Sequence, residues 1–162
     1  MEFAPLGSFR YTKGSSAIGP AIILPARGRD NTMLVTGGEE PMFCFLDGPY
    51  AGDGFPAASA GNFSGLAFEN VEFHVDWSSK FEYNLVEIPL GSLIVHDGGV
   101  DLVVAIKNNY RMDDAQRFPL TGSTSSSDRS KDIGFSKWKA LQRQDGKLVE
   151  IFLFQSTRTA DA

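Results

Sequence analysis

Residues 63–106 read FSGLAFENVEFHVDWSSKFEYNLVEIPLGSLIVHDGGVDLVVAI, and how this stretch is parsed decides the fold. From Asn70 to Trp77 apolar and polar residues alternate strictly. Val71, Phe73, Val75 and Trp77 take one face, and Asn70, Glu72, His74 and Asp76 take the other, which is the period of a half-buried strand. Leu66 and Phe68 carry the opposite parity. One uninterrupted strand would therefore point them away from the core, and a bulge or break near Glu69 is expected. Phe81 to Ile88 reads as the next strand, again with a parity change near its end, stopped by Pro89 and Gly91.

Leu93 to Ile106 reads as a hairpin with Gly98-Gly99 as its two loop residues, since glycine suits the positive φ that such turns need. That register sets His96 opposite Asp101, Val95 opposite Leu102 and Leu93 opposite Val104. It collects Leu93, Val95, Leu102 and Val104 on one face, and Ile94, His96, Asp101 and Val103 on the other.

Outward from this stretch, punctuation by Gly, Pro and polar clusters recurs through the chain. A short strand fits Ser8 to Thr12, and Ala21 to Leu24 with Thr32 to Thr36 reads as a hairpin closed by Gly37-Gly38. Arg27 and Arg29 sit in its turn and read as solvated loop residues. Met42 to Leu46 is apolar throughout, as in a strand buried on both faces, and Cys44 within it reads as a small buried hydrophobe rather than a nucleophile. Phe135 to Phe154 reads as a second hairpin around Asp145-Gly146. In it Trp138 opposes Leu153, Ala140 opposes Ile151 and Gln142 opposes Val149, while Lys137 and Lys139 lie over Phe154 and Phe152 on the outer side. Lys107 to Phe118 has the only helical composition, with an asparagine cap and about two turns. Residues 121–132 read as a mobile Ser/Thr-rich loop and 156–162 as a frayed tail.

The expected architecture is one all-β domain over residues 1–162, an antiparallel β-sandwich or jelly-roll-like barrel of about eight to ten strands with one short helix. A chain of 162 residues suffices for a single core, and 13 Phe and 17 Gly fit an all-β composition.

Charge is unevenly spread. Residues 1–38 carry four basic and two acidic side chains, 39–114 three and thirteen, and 115–162 eight and five, giving +2, −10 and +3 and the overall −5. An acidic centre repels phosphate, which excludes a nucleic-acid surface there. No run approaches the roughly 18 apolar residues of a membrane helix. With a single cysteine no intrachain disulfide forms, and the first residues show no signal-peptide pattern, so a soluble cytoplasmic protein is expected.

The chain carries no G-x-S-x-G elbow, P-loop, H-E-x-x-H or C-x-x-C. Residues 52–57 match G-x-G-x-x-A by letter, but Pro56 falls where a helix should run, and Asn62-Phe63-Ser64 is a glycosylation sequon only by letter. Residues 47–62 form an irregular Gly-, Ala- and Pro-rich connection long enough to be a binding loop, with Asp47, Tyr50, Asp53 and Phe55 as its candidate ligand contacts. Glu72, His74 and Asp76 share one strand face at a spacing of about 6.5 to 7 Å per step. Joined by His96 and Asp101 they could form a two-histidine, one-carboxylate metal site, as in a cupin-like enzyme or binder. The competing reading makes all five the wet side of amphipathic strands.

The leading expectation for function is a non-catalytic binding or assembly module without a cofactor, homo-oligomeric and partnered by protein, with no nucleic acid and no membrane. The cupin-like metal-dependent reading and a carbohydrate-binding sandwich using Tyr50, Trp77 or Trp138 are the alternatives.

Overall fold

The structure is a computed structural model that describes residues 3–5, 22–25, 32–35, 42–56, 68–69, 71–82, 87–96, 99–106, 114–122 and 132–160. Its strands are β1 (Phe3–Pro5), β2 (Ile22–Pro25), β3 (Thr32–Val35), β4 (Met42–Phe45), β5 (Asp53–Pro56), β6 (Phe68–Glu69), β7 (Glu72–Asp76), β8 (Lys80–Glu82), β9 (Ile88–Pro89), β10 (Leu93–His96), β11 (Gly99–Ile106), β12 (Asp114–Gly122), β13 (Ile133–Phe135), β14 (Lys137–Gln144), β15 (Lys147–Gln155) and β16 (Thr159–Ala160). The fold is all-β, with more strands than expected. Among the described residues the only helical piece is a 3-10 turn, Trp77–Ser79.

Two main sheets form. One runs β1-β7-β14-β15, and the other runs β6-β2-β3-β4-β5-β11-β10-β13-β8 with β12 also on β11. The larger sheet stays open between β6 and β8, so no closed barrel results. The break expected near Glu69 is where the chain changes sheets. Phe68 and Glu69 pair with β2, whereas Glu72 to Asp76 pair with β1 and β14. One buried cluster draws on both sheets: Phe73, Val75, Trp138, Ala140 and Phe154 from the smaller, and Leu34, Cys44, Leu93, Val95, Leu102 and Val104 from the larger.

The β10–β11 hairpin keeps the expected faces but not the expected register. Leu93 pairs with Leu102, Val95 with Val100 and His96 with Gly99, a shift of two residues that places Gly99 in the strand. A shift of two preserves parity, so Leu93, Val95, Leu102 and Val104 still point into the core. The far face is also apolar, where Ile94, Val103 and Ala105 join Ile88 and Leu90 in a second cluster.

β11 is the branch point of the large sheet. β12 runs along one edge for its whole length. The opposite edge is shared: Val103 N–H donates to Ser92 O at 3.0 Å, and Ala105 N–H to Gly52 O at 2.9 Å. β10 and the parallel β5 thus follow one another on the same edge. At this junction Gly91 has φ +83°, and a Cβ there would run into the Phe154 ring. Trp138 reaches the same point from the other sheet, its Nε1–H donating to Gly91 O at 2.8 Å while its ring stacks on Phe154 at 5.0 Å.

Three further expectations are corrected. The helix expected over Lys107 to Phe118 is a strand from Asp114 onward, because its alternate residues Phe118 and Leu120 serve the core in pairing with β11; residues 107–113 lie outside the described residues. The β14–β15 hairpin has the expected register only near its turn. A bulge between Ala140 and Leu141 makes Ile151 the extra residue, so Trp138 opposes Phe154 and Lys139 opposes Leu153. Phe154 is therefore buried and Leu153 is 47% exposed. The tail does not fray through Ala160. Thr159 and Ala160 pair with β9, and Ser156 Oγ donates to Leu90 O at 2.7 Å. The expected strand at Ser8 to Thr12, the Arg27–Arg29 turn, the sequon at Asn62 and residues 123–131 of the expected mobile loop lie outside the described residues.

Candidate functional site

The densest group of ionisable side chains lies on the far face of the large sheet, where β12, β11, β10 and β13 follow in order. Their register explains the grouping. Arg117 pairs with Val103, whose side chain faces away from the main core, so Arg117 shares that face with Asp101 and His96. Asp132, just before β13, falls opposite His96 when the β10–β13 register is continued by one residue. Arg117 spans the group, with Nε and Nη2 each 2.9 Å from Asp101 Oδ2 and Nη1 2.6 Å from Asp132 Oδ2. His96 Nε2 lies 3.0 Å from Asp101 Oδ1. All four are buried or nearly so. Burial acts to lower the Arg117 guanidinium, but the hydrogen bond to Asp132 and the charges of Asp101 and Asp132 outweigh it and hold it above its usual range. Such a group locks four strands together, since removing one member would leave a buried charge uncompensated.

A second group sits at the branch point. Asp53, the first residue of β5, is buried, and Arg158 Nη1 approaches its Oδ1 at 2.9 Å and Ala51 O at 3.3 Å. Cys44 lies beside it with no exposed surface. Burial first, and the Asp53 charge second, push its thiol up to about 12, which keeps it protonated and unreactive.

The third group is on the outer face of the small sheet. Glu72 Oε1 and His74 Nε2 are 2.8 Å apart with side chains only 12% and 13% exposed, so they are not the wet side of an amphipathic strand. Asp76 does not join them. It caps the 3-10 turn, accepting from Ser78 N at 2.9 Å and Ser78 Oγ at 2.7 Å. Desolvation works to raise Asp76, yet these two hydrogen bonds and the Lys137 charge bring it below the usual carboxylate value.

The structure therefore separates the histidines that the metal reading needs together. His74 is on β7 of the small sheet and His96 on β10 of the large one, each on the face turned from the shared core. The reason is parity, since both strands give their odd-numbered residues to that core and send these even-numbered histidines outward in opposite directions. Among the described residues no group of three metal-ligating side chains forms.

The candidate loop is only partly irregular. Asp53 to Pro56 is a strand paired with β4 and β11. Asp53 is turned inward, Asp47 is half-buried, and Tyr50 is 50% exposed with its ring 6.4 Å from Phe45. Phe55 pairs with Phe43 through its backbone. Of the aromatics considered for stacking, Trp138 is fully buried and cannot serve, while Trp77 is 44% exposed, edge-on to Phe135 at 6.0 Å with Lys80 Nζ 5.8 Å from its ring.

That His96 and Asp101 share a strand face was legible in the sequence, although Ile94 and not His96 is the residue opposite Asp101. The roles of Arg117 and Asp132 were not, because one lies in the stretch of helical composition and the other at the end of a polar run. Alternation through Arg117, Phe118 and Leu120 is too brief a signal to have revealed the strand. No helix among the described residues is long and apolar enough to cross a membrane. No curated protein and no solved structure matches the chain. The model of one family does match it, over residues 11–162, and the chain belongs to that family, described as uncharacterised protein y4lG.

Proposed function

We propose that this β-sandwich is a non-catalytic binding or assembly module that works in the cytoplasm and forms a homo-oligomer. One contrast supports the reading. Among the described residues the side chains most capable of chemistry, Cys44, Asp53, His96, Asp101, Arg117 and Asp132, are buried or nearly so and set against one another, while the large exposed hydrophobic side chains are Tyr50, Phe68, Trp77, Val149 and Leu153. Buried charge pairs serve rigidity, and exposed apolar residues serve contact. Light scattering coupled to gel filtration at micromolar concentration tests the assembly part. An assembly mass well above one chain is expected, and a strict monomer removes it.

Exposed Trp77 and Tyr50 favour a second reading, carbohydrate binding by ring stacking. The chain has two tryptophans and Trp138 is buried, so a sugar acting this way would quench Trp77 fluorescence alone. Unchanged emission in a Trp138→Phe background across mono- and oligosaccharides would dispose of it.

A further inference from the structure

The nine residues of β15 form an edge of the small sheet. Among the described residues Lys147–Gln155 pairs only with β14, and its Val149 and Leu153 stand 39% and 47% exposed. A long, largely apolar edge is a template for another strand.

The bulge limits which strand can lie there. On its N-terminal side Leu148 and Glu150 share the outer face with their partners Arg143 and Leu141, and Val149 points to the core side with Gln142. Past the bulge, Leu153 and Gln155 are outward with Lys139 and Lys137, while Phe152 and Phe154 are inward. An unbulged strand laid along β15 would match faces on one half and reverse them on the other. A second copy of β15 does not have this defect. Run antiparallel about a two-fold axis between Ile151 and Phe152, it sets Leu148 against the partner's Gln155, Val149 against the partner's Phe154, Glu150 against the partner's Leu153 and Ile151 against the partner's Phe152. Every pair then shares a face, because the two bulges cancel. Shifting by two residues either way sets outward Glu150 against inward Ile151, or inward Phe152 against outward Leu153.

Charge fits the same register. Lys139 neighbours Leu153 on the outer face, and the partner's Glu150 would neighbour Leu153 from the far side, so opposite charges flank an exposed leucine, twice by symmetry. Within one chain Lys139 Nζ is already 3.8 Å from Glu150 Oε1, and Glu150 is half exposed, available to a second lysine. We propose that two copies of this chain associate through their β15 edges, centred on the bulge, into a two-fold dimer in which the small sheets run on as one. This rests on the assembly reading above and names its partner and its surface.

Sedimentation of the wild-type chain and of three variants, from low to hundreds of micromolar, tests it, with circular dichroism confirming that each is folded. The wild type is expected to dimerise. Leu153→Glu, which sets a carboxylate directly opposite the partner's Glu150, should weaken the dimer at least about tenfold. Lys139→Glu and Glu150→Lys should each weaken it alone, since each brings like charges together across the interface. Mixed in equal amounts they should form a heterodimer, because both cross-interface pairs become attractive while the pairs within each chain stay repulsive. A monomeric wild type overturns both this interface and the assembly reading. An oligomer unmoved by Leu153→Glu, with no heterodimer from the mixture, leaves the assembly reading standing and overturns the β15 interface.

Discussion

At the scale of single residues, what distinguishes this protein is how its ionisable groups are spent on one another. Arg117 is the clearest case. It donates to Asp101 and Asp132 from two sides, and both carboxylates are nearly without solvent. Replacing it by leucine keeps the bulk but leaves two buried carboxylates facing each other. Arg117→Leu should therefore cost about 3–5 kcal/mol of unfolding free energy in urea denaturation. Adding Asp101→Asn and Asp132→Asn to the same chain should recover much of that loss, because neutral amides cost less to bury than unpaired charges. If the single variant loses less than about 1 kcal/mol, the group is not the lock described here. Cys44 shows the same economy in another form. Its thiol, pushed up to about 12 by burial and by Asp53, is a packing group, as its place in an apolar run suggests.

The secondary elements are joined less by their turns than by a few side chains that cross between sheets. Trp138 is the principal one, reaching from β14 through the core to the carbonyl of Gly91, at the point where β10 and β5 meet on β11. Phenylalanine in its place would keep the stacking on Phe154 but lose the N–H donor and part of the volume. Trp138→Phe should cost about 2–4 kcal/mol, combining a small cavity with an orphaned carbonyl. Thermal unfolding followed in the far ultraviolet measures it, and an unchanged midpoint would show that the Gly91 contact contributes nothing. The hairpins themselves were largely readable. Alternation identified which residues of β10 and β11 face inward, and even a register error of two residues left that answer intact. The β14–β15 hairpin fared differently, because a one-residue bulge reverses every face beyond it and nothing in Leu-Gln-Arg-Gln or Leu-Val-Glu-Ile announces it.

For the molecule as a whole, the C-terminal segment decides how the two main sheets are tied. After β15 the chain leaves the small sheet and crosses to the branch point of the large one. There Arg158 O accepts from Leu90 N–H at 2.8 Å, Arg158 Nη1 meets Asp53, and Thr159 pairs with Pro89. Removing residues 156–162 should leave the folded core in place but speed amide exchange at Leu90, whose N–H would lose its acceptor. Arg158→Ala should show part of the same effect, at a cost on the order of 1–3 kcal/mol for the carboxylate left behind. Exchange at Leu90 equal to that of the intact chain would mean that the strap is passive.

The sequence by itself determined the fold class and the sidedness of β7, β10 and β11, though not that of β15 beyond its bulge. Both follow from local alternation, and a period of two survives any even error in pairing. It also marked the break after Glu69, where parity fails, and the buried character of Cys44. Only the tertiary structure decided which sheet each strand joins. Phe68 and Phe73 lie five residues apart yet belong to different sheets, and nothing local distinguishes their destinations. It alone drew Arg117 and Asp132 to Asp101 and parted His74 from His96, since such meetings depend on pairing between strands distant in sequence. And it alone left β15, among the described residues, as an edge of the small sheet with a bulge near its centre, since neither the edge nor the bulge follows from local alternation.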